Sequence, residues 1–196
     1  AALADALPAI RRRITLDLKR DVSEKEYVLA GVVALLDTLG MRVGNDQYAQ
    51  ENGSYGLTTL LKDHVTAGRM KVHFGFTGKG GKQIEIDLSD PRVATLIRRC
   101  ENLPGRRLFQ YLNGDGQPHP ITSADVNTYL QEISGEPFTA KDFRTWRACC
   151  VLVEQLSDLP APEKPAHWKK GLLQGIRATA ERMAHTPAIC RSNYLH

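Results

Sequence analysis

Four short segments of this chain gather residue types that act on phosphorus. They are Arg42-Val43-Gly44-Asn45 with Tyr48 close behind, Gly78-Lys79-Gly80, Lys141-Asp142-Phe143-Arg144-Thr145-Trp146, and the run from His185-Thr186-Pro187 to Tyr194. Opening a phosphodiester without a metal or nucleotide energy requires a nucleophile, cations for the extra negative charge at phosphorus, and a proton donor for the leaving alkoxide. A phenol, two guanidiniums, an imidazole and an ammonium supply each of these. Guanidinium suits the charge-holding part because its planar fork donates two hydrogen bonds to a phosphate and stays ionised at any working pH. Taken singly, each residue has a plainer reading: Arg42 and Arg144 as surface ion-pair residues, Tyr48 at the edge of the core, Tyr194 half-buried at a helix end, Lys79 and Lys82 in an exposed turn. His64, His73, His119, His167 and His196 keep the plain reading of structural histidines.

In this order, with a glycine-flanked lysine and nine residues from His185 to Tyr194, the segments resemble the catalytic domain of the small bacterial and poxvirus type IB DNA topoisomerases. The resemblance runs from about residue 20 to the C-terminus. It implies that Tyr194 attacks DNA phosphorus to give a 3′-phosphotyrosine and release a 5′-hydroxyl. Arg42, Arg144 and His185 would hold the non-bridging oxygens, and Lys79 would protonate the leaving oxygen. Tyr48, Asn45, Lys82 and Lys141 would touch DNA. The implied activity is relaxation of supercoiled duplex DNA without ATP, metal or cofactor, by a monomer in the cytoplasm, at the nucleoid.

The family also carries a β-rich N-terminal domain that closes over the far side of the duplex, and nothing in residues 1–196 reads as that domain. The whole chain is therefore taken as the catalytic domain, with a missing N-terminal region expected, and relatives continue further past the position of Tyr194. Tyrosine recombinases share this chemistry, but they usually place a histidine three residues before the second arginine, where this chain has Lys141. A non-catalytic DNA-binding module is the other alternative, weakened because every position the chemistry needs is occupied.

The elements that must carry these residues follow from patterning. Ser23 and Glu26 form a capping-box pattern ahead of Val28, Val32, Leu35, Leu36 and Leu39, and Gly40 stops that helix just before Arg42. Alternation over Met70–Phe76 and Ile84–Leu88 predicts a hairpin whose tip, Thr77 to Lys82, presents Lys79 and Lys82, with Arg107–Leu112 as a third strand. Helices are expected over Pro91–Glu101, Ala124–Ile133 after Thr122, Lys141–Leu156 after Thr139, and Trp168–Ala184, with a proline-rich connector over Ser157–Pro165 and a further short helix over Ala188–His196. The expected class is α+β and mainly α: a helical domain with a small antiparallel sheet, the catalytic fold of tyrosine recombinases and type IB topoisomerases.

Composition agrees with a folded domain. The 196 residues are 42% hydrophobic and 24% charged, enough for a full core and unlike a disordered chain. The longest apolar stretch, Val28–Leu39, is broken by Gly31 and Asp37 and is too short to span a membrane. A net charge of +4 is a mild tilt toward polyanions, but the basic residues cluster, at Arg11-Arg12-Arg13, Lys19-Arg20, Arg98-Arg99, Arg106-Arg107 and Lys169-Lys170. The four cysteines have no metal-binding spacing and read as reduced core thiols.

Overall fold

A helix that the patterning did not foresee opens the chain in the computed structural model, which describes residues 2–158 and 165–195. This helix, α1 (Ala2–Asp17), buries Leu7, Ile10 and Ile14 along one stripe. Pro8 lies inside it, and a proline there forfeits one helical hydrogen bond and ordinarily marks a boundary, which hid the period. Helix α2 (Lys25–Leu39) is the centre of the core: Val28, Ala30, Val32, Val33, Leu35 and Leu36 have no exposed surface. The expected Ser23–Glu26 box does not form. Glu24 takes the N-cap position, and the Ser23 hydroxyl and amide both donate to Asp21 Oδ1, at 2.5 and 2.9 Å. Gly40 ends the helix as read, in the left-handed region at φ 61°, its N–H donating to the Leu36 carbonyl.

Beyond Gly40 the chain runs extended to Asn45, which caps the short α3 (Asp46–Asn52) by accepting from the Tyr48 N–H at 3.2 Å. Residues 56–58 clamp this extended stretch. Leu57 N–H donates to the Arg42 carbonyl at 2.9 Å and Thr58 N–H to the Val43 carbonyl at 2.7 Å. A Cβ on Gly56 would sit 2.6 Å from the Arg42 carbonyl oxygen, so only glycine permits this approach.

The sheet orders β1 (Val65–Ala67), β2 (Lys71–Thr77) and β3 (Gln83–Ser89) consecutively and antiparallel, with Phe74 opposite Ile86. Val72, Phe74 and Phe76 face the core, in the alternation that the sequence predicts. The third strand is β1 rather than Arg107–Leu112. After α4 (Pro91–Glu101), Arg107 makes one isolated bridge to Leu61, and Gln110–Leu112 becomes β4, paired in a separate hairpin with β5 (Pro118–Pro120). The intervening turn draws it away: Asn113 accepts from the Asp115 and Gln117 amides, folding the chain straight back.

Helix α5 (Ser123–Ser134) starts at Thr122, whose hydroxyl exchanges bonds with Asp125, and α6 (Ala140–Ser157) at Thr139, whose N–H and hydroxyl both donate to the Asp142 carboxylate. Helices α7 (Pro165–Arg182) and α8 (Pro187–Asn193) complete the described chain. The ends of the expected connector belong to α6 and α7, and residues 159–164, like His196, lie outside the described residues. No helix among the described residues is long and apolar enough to cross a membrane.

Asp17, 2% exposed, fastens α1 to α5 by accepting from Arg13 at 2.8 Å, Arg20 at 3.0 Å and the Tyr129 hydroxyl at 2.8 Å. Burial pushes its carboxyl up, and the bonds from Arg13, Tyr129 and Arg20 outweigh that and hold it below the usual range. Its contribution is complete above the ordinary carboxylate pKa and lost as pH falls through the lower folded value. Asp17→Ala is expected to cost about 1.5–3 kcal/mol in urea unfolding. Between about pH 5 and about pH 2 the unmodified protein should lose more stability than Asp17→Asn does.

Candidate nucleic-acid cleavage site

Arg144 sits where three pieces of chain end. Its Nη1 donates to the carbonyl of Gly40, at the end of α2, and its Nη2 to the carbonyl of Met183, just past α7. Its Nε donates to His185 Nε2 at 3.1 Å, with Nη2 on the same nitrogen. Carbonyls at helix C-termini lack intrahelical partners and carry the negative end of the helix dipole, so a guanidinium suits both chemically and electrostatically. Arg144 lies in the second turn of α6.

Arg42 reaches the same place from the clamped stretch after Gly40. The two guanidiniums are close enough that Arg144 is pushed down to about 10, first by burial and then by the charge of Arg42, with Tyr194 opposing. Arg42 is lowered by burial, again with Tyr194 opposing. Neither has a carboxylate within 4 Å among the described residues. Two partly desolvated cations with no counter-charge form a site that favours an anion.

The turn carrying His185 is built by a non-glycine in the left-handed region, Ala184 at φ 51°, and by the His185 N–H donating to the Ala180 carbonyl at 2.7 Å. Thr186 caps α8 through the Ile189 N–H, and Pro187 takes the first helical position, as the Thr-Pro pair predicts. Burial and the charges of Arg144, Arg42 and Lys82 push the His185 imidazole down to about 3. Its Nε2 accepts from Arg144, so the neutral ring carries its proton on Nδ1, and Nδ1 is buried with no partner among the described residues.

Tyr194 follows α8 rather than lying within it. Its ring stacks on His185 with centroids 4.2 Å apart and planes at 20°, and the Arg144 guanidinium carbon is 5.7 Å from the ring centre. Its backbone is held at both ends, the N–H by the Cys190 carbonyl at 3.1 Å and the carbonyl by the Cys149 thiol at 3.3 Å. Cys149 was read only as a core thiol. It is half-buried, and its contact depends on how α6 and α8 pack, which no local pattern encodes.

Arg42, Arg144 and Tyr194 line a cleft of about 260 Å³ together with Asn45, Tyr48, Lys79 and Lys141. Tyr48 is exposed rather than at the core edge, and the Lys79 ammonium lies 5.3 Å from its ring centre across the cleft mouth. Asn45 spends its Oδ1 on capping α3. Lys82 borders the neighbouring groove beside His185 and Arg177 instead. Arg177 was not singled out by the patterning, since a lone arginine on a helix carries no motif.

The pattern of the family described as eukaryotic DNA topoisomerase I, catalytic core, matches residues 1–195, so the likeness begins ahead of residue 20 and includes α1. DNA topoisomerase 1B of Acanthamoeba polyphaga mimivirus is 28% identical over 97% of this chain and 59% of its own length. DNA topoisomerase 1B of vaccinia virus, strain Copenhagen, is 25% identical over 93% of this chain and 55% of its own. The chain thus spans a little over half the length of these relatives. Among solved structures, the XerH site-specific recombinase bound to its difH substrate, in a pre-cleavage complex, matches 98% of this chain and 49% of its own at a TM-score of 0.61 and 17% identity, a likeness of fold. The expected fold, the one shared by tyrosine recombinases and type IB topoisomerases, is the fold observed.

The two arginines should separate in stability. Arg144→Ala strands two buried carbonyls and is expected to lower the unfolding free energy by about 1–3 kcal/mol or more. Arg42→Ala removes a repelled charge that makes no side-chain hydrogen bond among the described residues and should be neutral or slightly stabilising, with thermal melts of both variants as the measurement. An NMR titration should show no His185 inflection between about pH 5 and 8, because the ring stays neutral down to about 3.

Proposed function

Because the chain belongs to the type IB DNA topoisomerase family, matching its catalytic core over residues 1–195, we propose that it relaxes supercoiled duplex DNA by cutting and resealing one strand through Tyr194. The observation that carries this reading is the uncompensated pair Arg42 and Arg144 beside the Tyr194 ring, an anion site with a nucleophile at its wall. The Tyr194 oxygen attacks phosphorus and loses its proton to solvent. A Tyr–O–P bond forms, the bond from phosphorus to the 5′ oxygen breaks, and Lys79 gives that oxygen a proton. The 3′-phosphotyrosine keeps the bond energy, so after the duplex swivels the 5′-hydroxyl attacks and the same steps run backward, with neither ATP nor metal required.

The two arginines divide the charge work differently. Arg42 has its donors available to the phosphate oxygens, since none is spent on a partner among the described residues. Arg144 has committed its Nε and most of its fork to Gly40, Met183 and His185, and offers the phosphate its charge and one remaining Nη1 hydrogen. Asn45 retains its Nδ2 for DNA, and Tyr48 and Lys141 flank the strand at the cleft mouth. Lys79 stands on the hairpin tip, where Gly80 and Gly81, at φ 76° and 73°, allow the tight turn that carries an ammonium outward.

Incubation with supercoiled plasmid in EDTA, without ATP, is expected to yield relaxed topoisomers, and Tyr194→Phe should form no covalent adduct while holding DNA within a few-fold of the unmodified affinity. An adduct with the phenylalanine variant would overturn the nucleophile assignment. Lys79→Ala is expected to slow cleavage by about 10²–10⁴. Replacing the bridging 5′ oxygen by sulfur gives a leaving thiolate that hardly needs protonation, thiols having pKa values near 8.5. Lys79→Ala should then recover nearly full cleavage rate, whereas Arg42→Ala should not.

A further inference from the structure

Helix α6 carries two groups that bear on Tyr194. Arg144, in its second turn, is tied to the Gly40 and Met183 carbonyls, and Cys149, five residues on, donates its thiol hydrogen to the Tyr194 carbonyl at 3.3 Å. Five residues of α-helix rise about 7.5 Å, so one stiff rod carries both the cation of the site and a hold on the backbone of the phenol. Among the described residues the thiol is the one partner of that carbonyl. The other holds on Tyr194 are of a different kind. Its N–H bond to the Cys190 carbonyl closes α8 locally, and its ring rests by stacking on His185 and by the guanidinium of Arg144 at 5.7 Å. At φ −133° and ψ −10° the backbone has already left the helix, so no further helical turn fixes the direction of the side chain.

The four thiols are not equivalent. Cys100 and Cys190 have no exposed surface, and burial pushes the Cys100 thiol up to about 12. Cys149 and Cys150 are both half-buried, but Cys150 has Arg147, Glu154 and Asp37 around it, so it serves as the matched neighbour that does not hold Tyr194. We propose that Cys149 is a positioning residue for the strand-cutting reaction: its S–H···O bond holds the Tyr194 backbone so that the phenol stays over His185 and beside Arg144. The inference rests on the topoisomerase reading for its effect on rate. A nucleophile displaced by a fraction of an ångström attacks less often, so the loss falls on the chemical step and not on DNA binding.

Three proteins test this: Cys149→Ala, Cys149→Ser and, as control, Cys150→Ser. With protein in excess over end-labelled duplex, Cys149→Ala is expected to slow adduct formation at least about 5-fold while its Kd for DNA stays within about 2-fold. Serine restores a donor and should recover most of that loss, and Cys150→Ser should cut at the unmodified rate. In the Cys150→Ser background, methyl methanethiosulfonate caps the remaining half-buried thiol: the Cys149 sulfur attacks the reagent's sulfenyl sulfur, a new S–S bond forms, methanesulfinate leaves with the bonding pair, and the thiol proton goes to solvent. Cutting should slow as in Cys149→Ala and return with dithiothreitol. A separate readout needs no DNA. In ring-labelled tyrosine NMR spectra, assigned with Tyr194→Phe, stacking on the imidazole shifts the Tyr194 ring protons upfield, and Cys149→Ala should lose that shift while Cys149→Ser keeps it. An unchanged ring shift in Cys149→Ala, serine no better than alanine, or DNA affinity falling in step with the rate would overturn the proposal. If the unmodified protein forms no adduct, the topoisomerase reading fails, and the ring shift still decides whether Cys149 places Tyr194.

Discussion

One guanidinium ties the end of α2, the end of α7 and the histidine turn into a single knot, and the candidate site exists because Arg144 holds them together. Helix ends bring unpaired carbonyls and helix starts bring unpaired amides, so the convergence of two C-termini makes a pocket that attracts a cation. Arginine fills it without losing its charge. With Gly40 fixed there, Arg42 is placed two residues later, and the clamp of Leu57 and Thr58 on its stretch fixes its approach. With Met183 fixed, Ala184 turns the chain so that His185 faces Arg144 and α8 sets Tyr194 over the imidazole. A lysine at 144 could not span these acceptors, because an ammonium lacks the planar, spaced donors of the fork.

The same knot leaves the site electrostatically unsatisfied. Asp17 shows how the fold treats a buried charge when only stability is at stake, with two arginines and a phenol around it. Arg42 and Arg144 receive no carboxylate among the described residues, stand close enough for the charge of Arg42 to act on Arg144, and share their surroundings with an imidazole that burial and their charge hold neutral. A local departure from consistent pairing inside an otherwise consistent core marks a place kept for a ligand.

That the candidate residues would gather was legible in the sequence, because residue types and order carry it: Arg42, Lys79, Arg144 and Tyr194 line one cleft, and His185 stacks on the Tyr194 ring beside it. Elements with a strong local code were legible too. Gly40, the caps Thr122 and Thr139, and the alternation through Phe74 and Ile86 each act over a few residues. What was hidden depends on distant partners or on weak local signals. Helix α1 is broken up by Pro8, β1 is three residues long, and Ser23 was offered a nearer acceptor in Asp21. The carbonyls of Gly40 and Met183 leave no mark in a sequence, since every residue has one, so the commitment of Arg144's fork could not be read.

The site divides into a fixed part and a lightly held part, and the division matches what a reversible strand cut demands. Arg144 is buried and Arg42 stands on a clamped stretch of backbone, and in the proposed reaction both would serve both directions, because cleavage and resealing would share one pentacoordinate transition state. Lys79 stands on an exposed turn against the face of Tyr48, and Tyr194 hangs from a seven-residue helix by a thiol contact and one backbone bond. In the proposed reaction these two groups would follow atoms that move: the 5′ oxygen would depart and return, and the phosphotyrosine would stay attached while the duplex turned. Few buried contacts and exposed backbone hydrogen bonds place such segments at the low-stability end of a fold. Charge stabilisation gains from rigidity, whereas proton delivery and covalent attachment gain from a short tether, and the chain carries the residues proposed for each on the matching kind of structure.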